Sequence, residues 1–95
     1  MNFSKLNPWG EIIRVKVTFV KAEKDYRLLV RLSDGRSGYF DVSPYLEKGI
    51  FKQLKDHGYF EQVKIGFGGV VWPNQQDFSA DTIELEMQPI KETVA

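Results

Sequence analysis

Between residues 12 and 20 apolar and polar side chains alternate, with Ile13, Val15, Val17 and Phe19 on one face and Arg14, Lys16 and Thr18 on the other. A period of two marks a half-buried strand. After a polar turn at 21–25, Tyr26, Leu28, Val30 and Leu32 alternate with Arg27, Leu29 and Arg31, which predicts a second strand paired with the first as a hairpin. Asp34-Gly35 then predicts a two-residue type I′ turn, since both positions need positive φ, which Asp tolerates and Gly adopts freely. That turn sets Ser33 opposite Arg36, Val30 opposite Tyr39 and Leu29 opposite Phe40. It places Tyr39 on the core face and Phe40 on the other. Either both sheet faces are partly covered or a bulge shifts the third strand. Partial cover is favoured, because Leu29, Phe40 and Val42 are all apolar.

From residue 44 the period changes. Ser43 suits an N-cap and Pro44 the first helical position, and Leu46, Ile50, Phe51 and Leu54 follow at helical spacing. Gly49 costs about 1 kcal/mol in mid-helix, so the pattern predicts a short turn, a break and a second short helix. Asp56-His57-Gly58 reads as a stop with Gly58 left-handed. Val63, Ile65 and Phe67 alternate again, Gly68-Gly69 turns the chain, and Val70-Val71-Trp72 returns, so Phe67 faces Val70 and Ile65 faces Trp72. Pro73 cannot donate to a ladder and ends the strand, and 74–77 is a polar loop. Ser79 caps a single helical turn, and Ile83, Leu85 and Met87 alternate as a last strand. The prediction is an α+β domain: an antiparallel sheet of about five strands in two hairpin groups, with a helical segment over 44–56 packed on one face. Residues 1–10 form an arm pinned by Phe3, Leu6 and Trp9, residues 11–88 the single domain, and 89–95 a frayed tail.

Composition narrows the chemistry. The chain has 95 residues, 13 basic and 13 acidic side chains, and no cysteine. Without cysteine there is no disulfide, thiolate metal site or cysteine nucleophile. No run approaches the roughly 18–20 apolar residues of a membrane span, and no apolar signal core opens the chain, so a cytoplasmic setting is expected. A neutral chain lacks the electrostatic footprint of a nucleic-acid binder, whose affinity comes largely from neutralised phosphates.

The order of these segments carries a resemblance. The alternating strand pair, "LSDGRSGYFDVSPYL", "GIFKQL", "YFEQVKI" and "GGVVWPNQQDFSADTIEL" together resemble the bacterial family known as domain of unknown function twenty-four forty-two, over roughly residues 11 to 86. The marks are the Asp34-Gly35 turn, Asp41 opening the helical region, Phe60 ahead of a strand, and Trp72-Pro73 followed by Asp77. In the usual form of the last motif a small residue or glycine often follows Asn74, where this chain has Gln75 and Gln76. The resemblance implies a small α+β domain and brings no activity or catalytic residue with it.

Candidate chemistry is sparse. His57 is the only histidine and sits in an expected turn, and no Gly-x-Ser-x-Gly elbow surrounds any serine, so an acyl-transfer triad is disfavoured. "GFGG" lacks the Lys and helix of a phosphate loop and reads as a hairpin turn. Asp41, Asp77 and Asp81 stand at element ends and form the candidate carboxylate set for a hard cation, as the site of a metal-dependent enzyme; turn geometry alone accounts for them equally well. Arg14, Lys16, Arg27 and Arg31 are candidates for a basic sheet face that binds nucleic acid. Trp72 is read as core beside Ile65, its indole N–H on a loop carbonyl or Asp77; exposed, it would form a contact patch with Pro73 and Asn74. The favoured function is a non-catalytic protein-binding or regulatory module, acting through a protein partner or self-association. It has no cofactor and contact candidates Trp72, Asn74, Asp77 and Asp41.

Overall fold

The structure, a computed structural model, describes residues 14–90. The expected arm at 1–10 lies outside these residues, as do Ile13 of the first predicted strand and residues 91–95 of the expected tail.

Two antiparallel sheets carry the chain. The larger has strands β1 (Val17–Glu23), β2 (Arg27–Leu32), β3 (Ser37–Asp41) and β7 (Gln88–Pro89) in the order β1-β2-β3-β7. The smaller has β4 (Lys64–Gly66), β5 (Gly69–Val71) and β6 (Asp77–Phe78), in chain order. The α+β class and antiparallel pairing stand, and the expected five strands become seven. The sheets meet where the Val17 N–H donates to the Gly68 carbonyl at 2.8 Å.

The first strand does not keep its predicted face. Val15 and Val17 are buried, but Val17 pairs with Leu32 and Phe19 with Arg31, so two residues of β1 stand against one of β2. This bulge resets the alternation. Val20 and Ala22 turn to the core, and Phe19 turns outward at 45% exposure.

The second hairpin corrects the predicted turn. Leu32 N–H donates to the Arg36 carbonyl and Gly35 N–H to the Leu32 carbonyl, so the loop has three residues, 33–35. Gly35 closes it at φ 93°, the arrangement of a type I turn followed by one left-handed residue. The register moves by one residue, and Leu28 pairs with Phe40 and Leu29 with Tyr39. Phe40 and Val42 are therefore fully buried, while Leu29 and Tyr39 lie on the outer face. The turn shift, not partial cover of both faces, resolves the conflict.

The helical region is shorter-pitched than predicted. It consists of 3₁₀ turns at Ser43–Tyr45 and Gly49–Lys55, then α1 (His57–Phe60). The break falls at Gly49, whose φ is 49°. Ser43 does not cap; the Asp41 carboxylate accepts the Ser43 N–H at 2.9 Å instead. Nor is 56–58 a stop. Asp56 is the N-cap of α1, accepting from Gly58 and Tyr59, and Gly58 is not left-handed.

In the small sheet Ile65 pairs with Val70 and Gly66 with Gly69, so Phe67-Gly68 is the two-residue loop in place of the predicted Gly68-Gly69. The reason lies in the third strand. A Cβ at Gly69 would sit 2.1 Å from the Phe78 carbonyl oxygen, so position 69 must lie inside the ladder and accepts no side chain.

The last predicted strand is a helix, α2 (Ala80–Glu86), with the Ser79 hydroxyl accepting the Thr82 N–H. Its buried positions, Ala80, Ile83 and Met87, fall at helical spacing, and Leu85 is 84% exposed. Gln88–Pro89 then pairs with β3 and the Ile90 N–H reaches the Ser37 carbonyl, so the chain is still held at 89 and 90. The core lies between the inner face of the large sheet and an aromatic group centred on Phe78, whose ring meets Phe40, Tyr45, Phe51 and Trp72.

Candidate functional site

The conspicuous segment Trp72-Pro73-Asn74-Gln75-Gln76-Asp77 joins β5 to β6 as a second three-residue loop. Trp72 N–H donates to the Gln76 carbonyl, and Gln75 N–H to the Trp72 carbonyl at 3.1 Å. Pro73 presets the first turn position, and Gln75, at φ 75°, fills the left-handed place that Gly35 holds in the other hairpin.

Most of the segment's polar groups are consumed within the fold. Trp72 is 2% exposed, and its indole N–H donates to the Phe60 carbonyl at 2.8 Å. It packs on Phe60 and Phe78, not beside Ile65, which pairs with Val70. Gln76 is buried and fully used. Its carbonyl accepts Tyr59 O–H at 2.7 Å, and its amide donates to the Ile50 carbonyl and to Gln53. Tyr59 in turn accepts the Asn74 N–H at 2.8 Å, and the Asn74 amide donates to Gln53. Buried polar groups need such partners, because one left unpaired costs about 1–3 kcal/mol. The network locks the loop onto the 3₁₀ segment and α1.

The candidate carboxylates do not converge. Asp41 ends β3 and holds a turn, Asp77 lies exposed on β6 in the other sheet, and Asp81 pairs with Arg14 at 3.3 Å in the first turn of α2. Among the described residues no group of three His, Cys, Asp or Glu side chains is placed to hold a metal. His57 opens α1, its ring edge-on to Tyr26. The basic candidates also separate. Arg14 is drawn to Asp81 and Lys16 precedes the bulge, while Arg27 and Arg31 share the outer face of β2 with Glu23 and Asp41 as cross-strand neighbours of Arg27. Arg27 lies over the Tyr39 ring at 4.7 Å.

One local charge group shapes the surface. Arg36 bridges Asp34 and Glu84, tying the β2–β3 turn to α2. Burial pushes the Asp34 carboxyl up, but hydrogen bonds from Arg36 and its charge outweigh this and hold it below its ordinary value. The Arg36 guanidinium is raised, chiefly by its hydrogen bond to Glu84.

The residue the sequence reading misplaced is Phe67. Expected on the core face opposite Val70, it stands at the hairpin tip, 98% exposed, with φ 52°. A shallow groove lined by Lys16, Ser79 and Asp81 runs beside it. The available signal was the run Gly66-Phe67-Gly68-Gly69, in which the turn can be centred on more than one residue pair; local sequence does not choose among them. Among the described residues no helix is long and apolar enough to cross a membrane.

No curated protein and no solved structure matches the chain. One family model does, over residues 17–88, which takes in both sheets, α1 and α2. The chain belongs to the family described as protein of unknown function (DUF2442).

Proposed function

We propose that this chain is a non-catalytic protein-binding module of the bacterial cytoplasm, and that its contact point is the β4–β5 hairpin tip. The observation that carries this reading is Phe67. An L-residue in the left-handed region costs roughly 1–2 kcal/mol, and a phenylalanine left in water forgoes about 1.5–3 kcal/mol of burial. Both costs fall on one residue, and its 98% exposure means that no packing within the described residues offsets them. A partner pocket that takes the ring recovers the second cost on binding, and buried aromatics dominate interface energetics. Trp72, Asn74 and Asp41 serve the fold, and Asp77 adds an exposed carboxylate on β6.

The test compares the protein with its Phe67→Asn variant by affinity capture from its native cells and by mass in solution. The reading expects a stoichiometric protein partner captured by the parent chain and lost in a variant that melts no lower. Equal capture by both proteins overturns the role of Phe67. A parent chain that captures nothing counts against a binding module altogether.

A further inference from the structure

The face of the large sheet turned away from the core is ordered by charge along its strands. The registers place Phe19, Arg31 and Ser37 in one row, Lys21, Leu29 and Tyr39 in the next, and Glu23, Arg27 and Asp41 in the third. Four residues of β2 separate the outer rows, about 13 Å at 3.3 Å per residue. The first row carries one unopposed cation. The third carries two carboxylates around one cation. Between them lie half-buried Leu29 and Tyr39, with Phe19 at 45% exposure at the corner. Among the described residues neither Arg27 nor Arg31 makes an ion pair, and the Arg27 Nε is buried with no acceptor.

A face that is positive at one end, negative at the other and apolar between is complementary to itself. A two-fold axis lying across the strands at the level of Leu29 sets each Arg31 over the other copy's third row, within reach of Glu23 and Asp41, and stacks Leu29 and Tyr39 on their counterparts. Such isologous contacts are the commonest way soluble chains associate. We propose that this face docks a second copy of the chain, with Arg31 of each copy paired to the carboxylates of the other. Nucleic acid fits it less well, because Glu23 and Asp41 repel phosphates where Arg27 would take them. The size of the face sets the strength. Four strands spaced about 4.8 Å apart and some seven residues long make roughly 400 Å², against about 800 Å² per partner in a standard interface. The dimer is weak and concentration-dependent, and it is independent of the hairpin tip.

Sedimentation velocity from about 10 μM to 1 mM tests this on three proteins: the parent chain, Arg31→Glu and Glu23→Arg. The parent is expected to shift toward dimer with concentration. Each variant alone opposes like charges and is expected to dimerise at least tenfold more weakly. An equimolar mixture of the two restores opposite charges and is expected to recover dimer, which misfolding of either variant cannot mimic. A parent monomeric throughout, a mixture no better than its components, or retention of a (dT)15 oligonucleotide in place of self-association would each overturn the proposal. Loss of partner capture on Phe67→Asn with the dimer intact separates this surface from the hairpin tip.

Discussion

Replacing Phe67 by asparagine removes a ring that touches nothing and relieves a strained backbone, so the fold is expected to become more stable. The loop Phe67-Gly68 has φ values of 52° and 80°, the pair of positive angles that a type I′ turn demands. Asparagine is several-fold enriched in that region and is the preferred first residue of such turns. It should recover part of the roughly 1–2 kcal/mol left-handed cost, about 0.5–1 kcal/mol. Nothing offsets this gain, since a side chain 98% exposed has almost no burial to lose. In a domain of this size 1 kcal/mol moves the melting temperature by about 4–8 °C, so the expected rise is about 2–8 °C. Thermal unfolding followed by circular dichroism measures it. Urea unfolding should show a higher midpoint at unchanged slope, because no extra surface is buried. A melting temperature lower than the parent's by more than about 2 °C, or a lower urea midpoint, would refute the reasoning: the ring would then be packed in the free protein, and the case for a bare contact residue would fall with it.

Gly69→Ala is expected to cost more than about 2 kcal/mol in chemical denaturation, since its Cβ would meet the Phe78 carbonyl oxygen at 2.1 Å and push β6 off β5. Tyr59→Phe removes the donor to Gln76 and the acceptor of the Asn74 N–H, and is expected to cost about 1–3 kcal/mol by the same measurement, with Gln76 buried and short of a partner. Asp34 sets an acid limb: its folded carboxyl lies below the ordinary value, so its contribution is present above the unfolded pKa, about 4, and fades as pH falls through the lower folded one. The loss of melting temperature between about pH 4 and pH 2 should therefore be shallower in Asp34→Asn than in the parent.

Several parts of this structure were legible without coordinates because they are local. Leu28, Val30 and Leu32 alternate with polar or outer-face residues, and they line the core face of β2. Gly49 breaks the helical region where a glycine interrupts its stripe. Ser79 caps a helix, and Trp72 is core with its indole N–H on a main-chain carbonyl. Each follows from the periodicity, conformational range or hydrogen-bonding need of one short stretch.

What only the tertiary structure decided were choices that local chemistry leaves degenerate. Ile83, Leu85 and Met87 satisfy a period of two, yet Ile83 and Met87 are also four apart, and packing of α2 against β5 chooses the helix. A bulge after Val17 turns Phe19 outward, because only pairing with β2 counts residues across strands. The Asp34-Gly35 turn accommodates a two- or a three-residue loop, and burial of Phe40 selects the latter. The same holds for the run of glycines around Phe67. Only the arrival of β6 over Gly69 places the turn one residue earlier and leaves the phenylalanine in solvent. The composition therefore determined an α+β domain with few groups able to do chemistry. The surfaces that domain offers to partners came from register, a non-local property fixed by which side chains can be buried together.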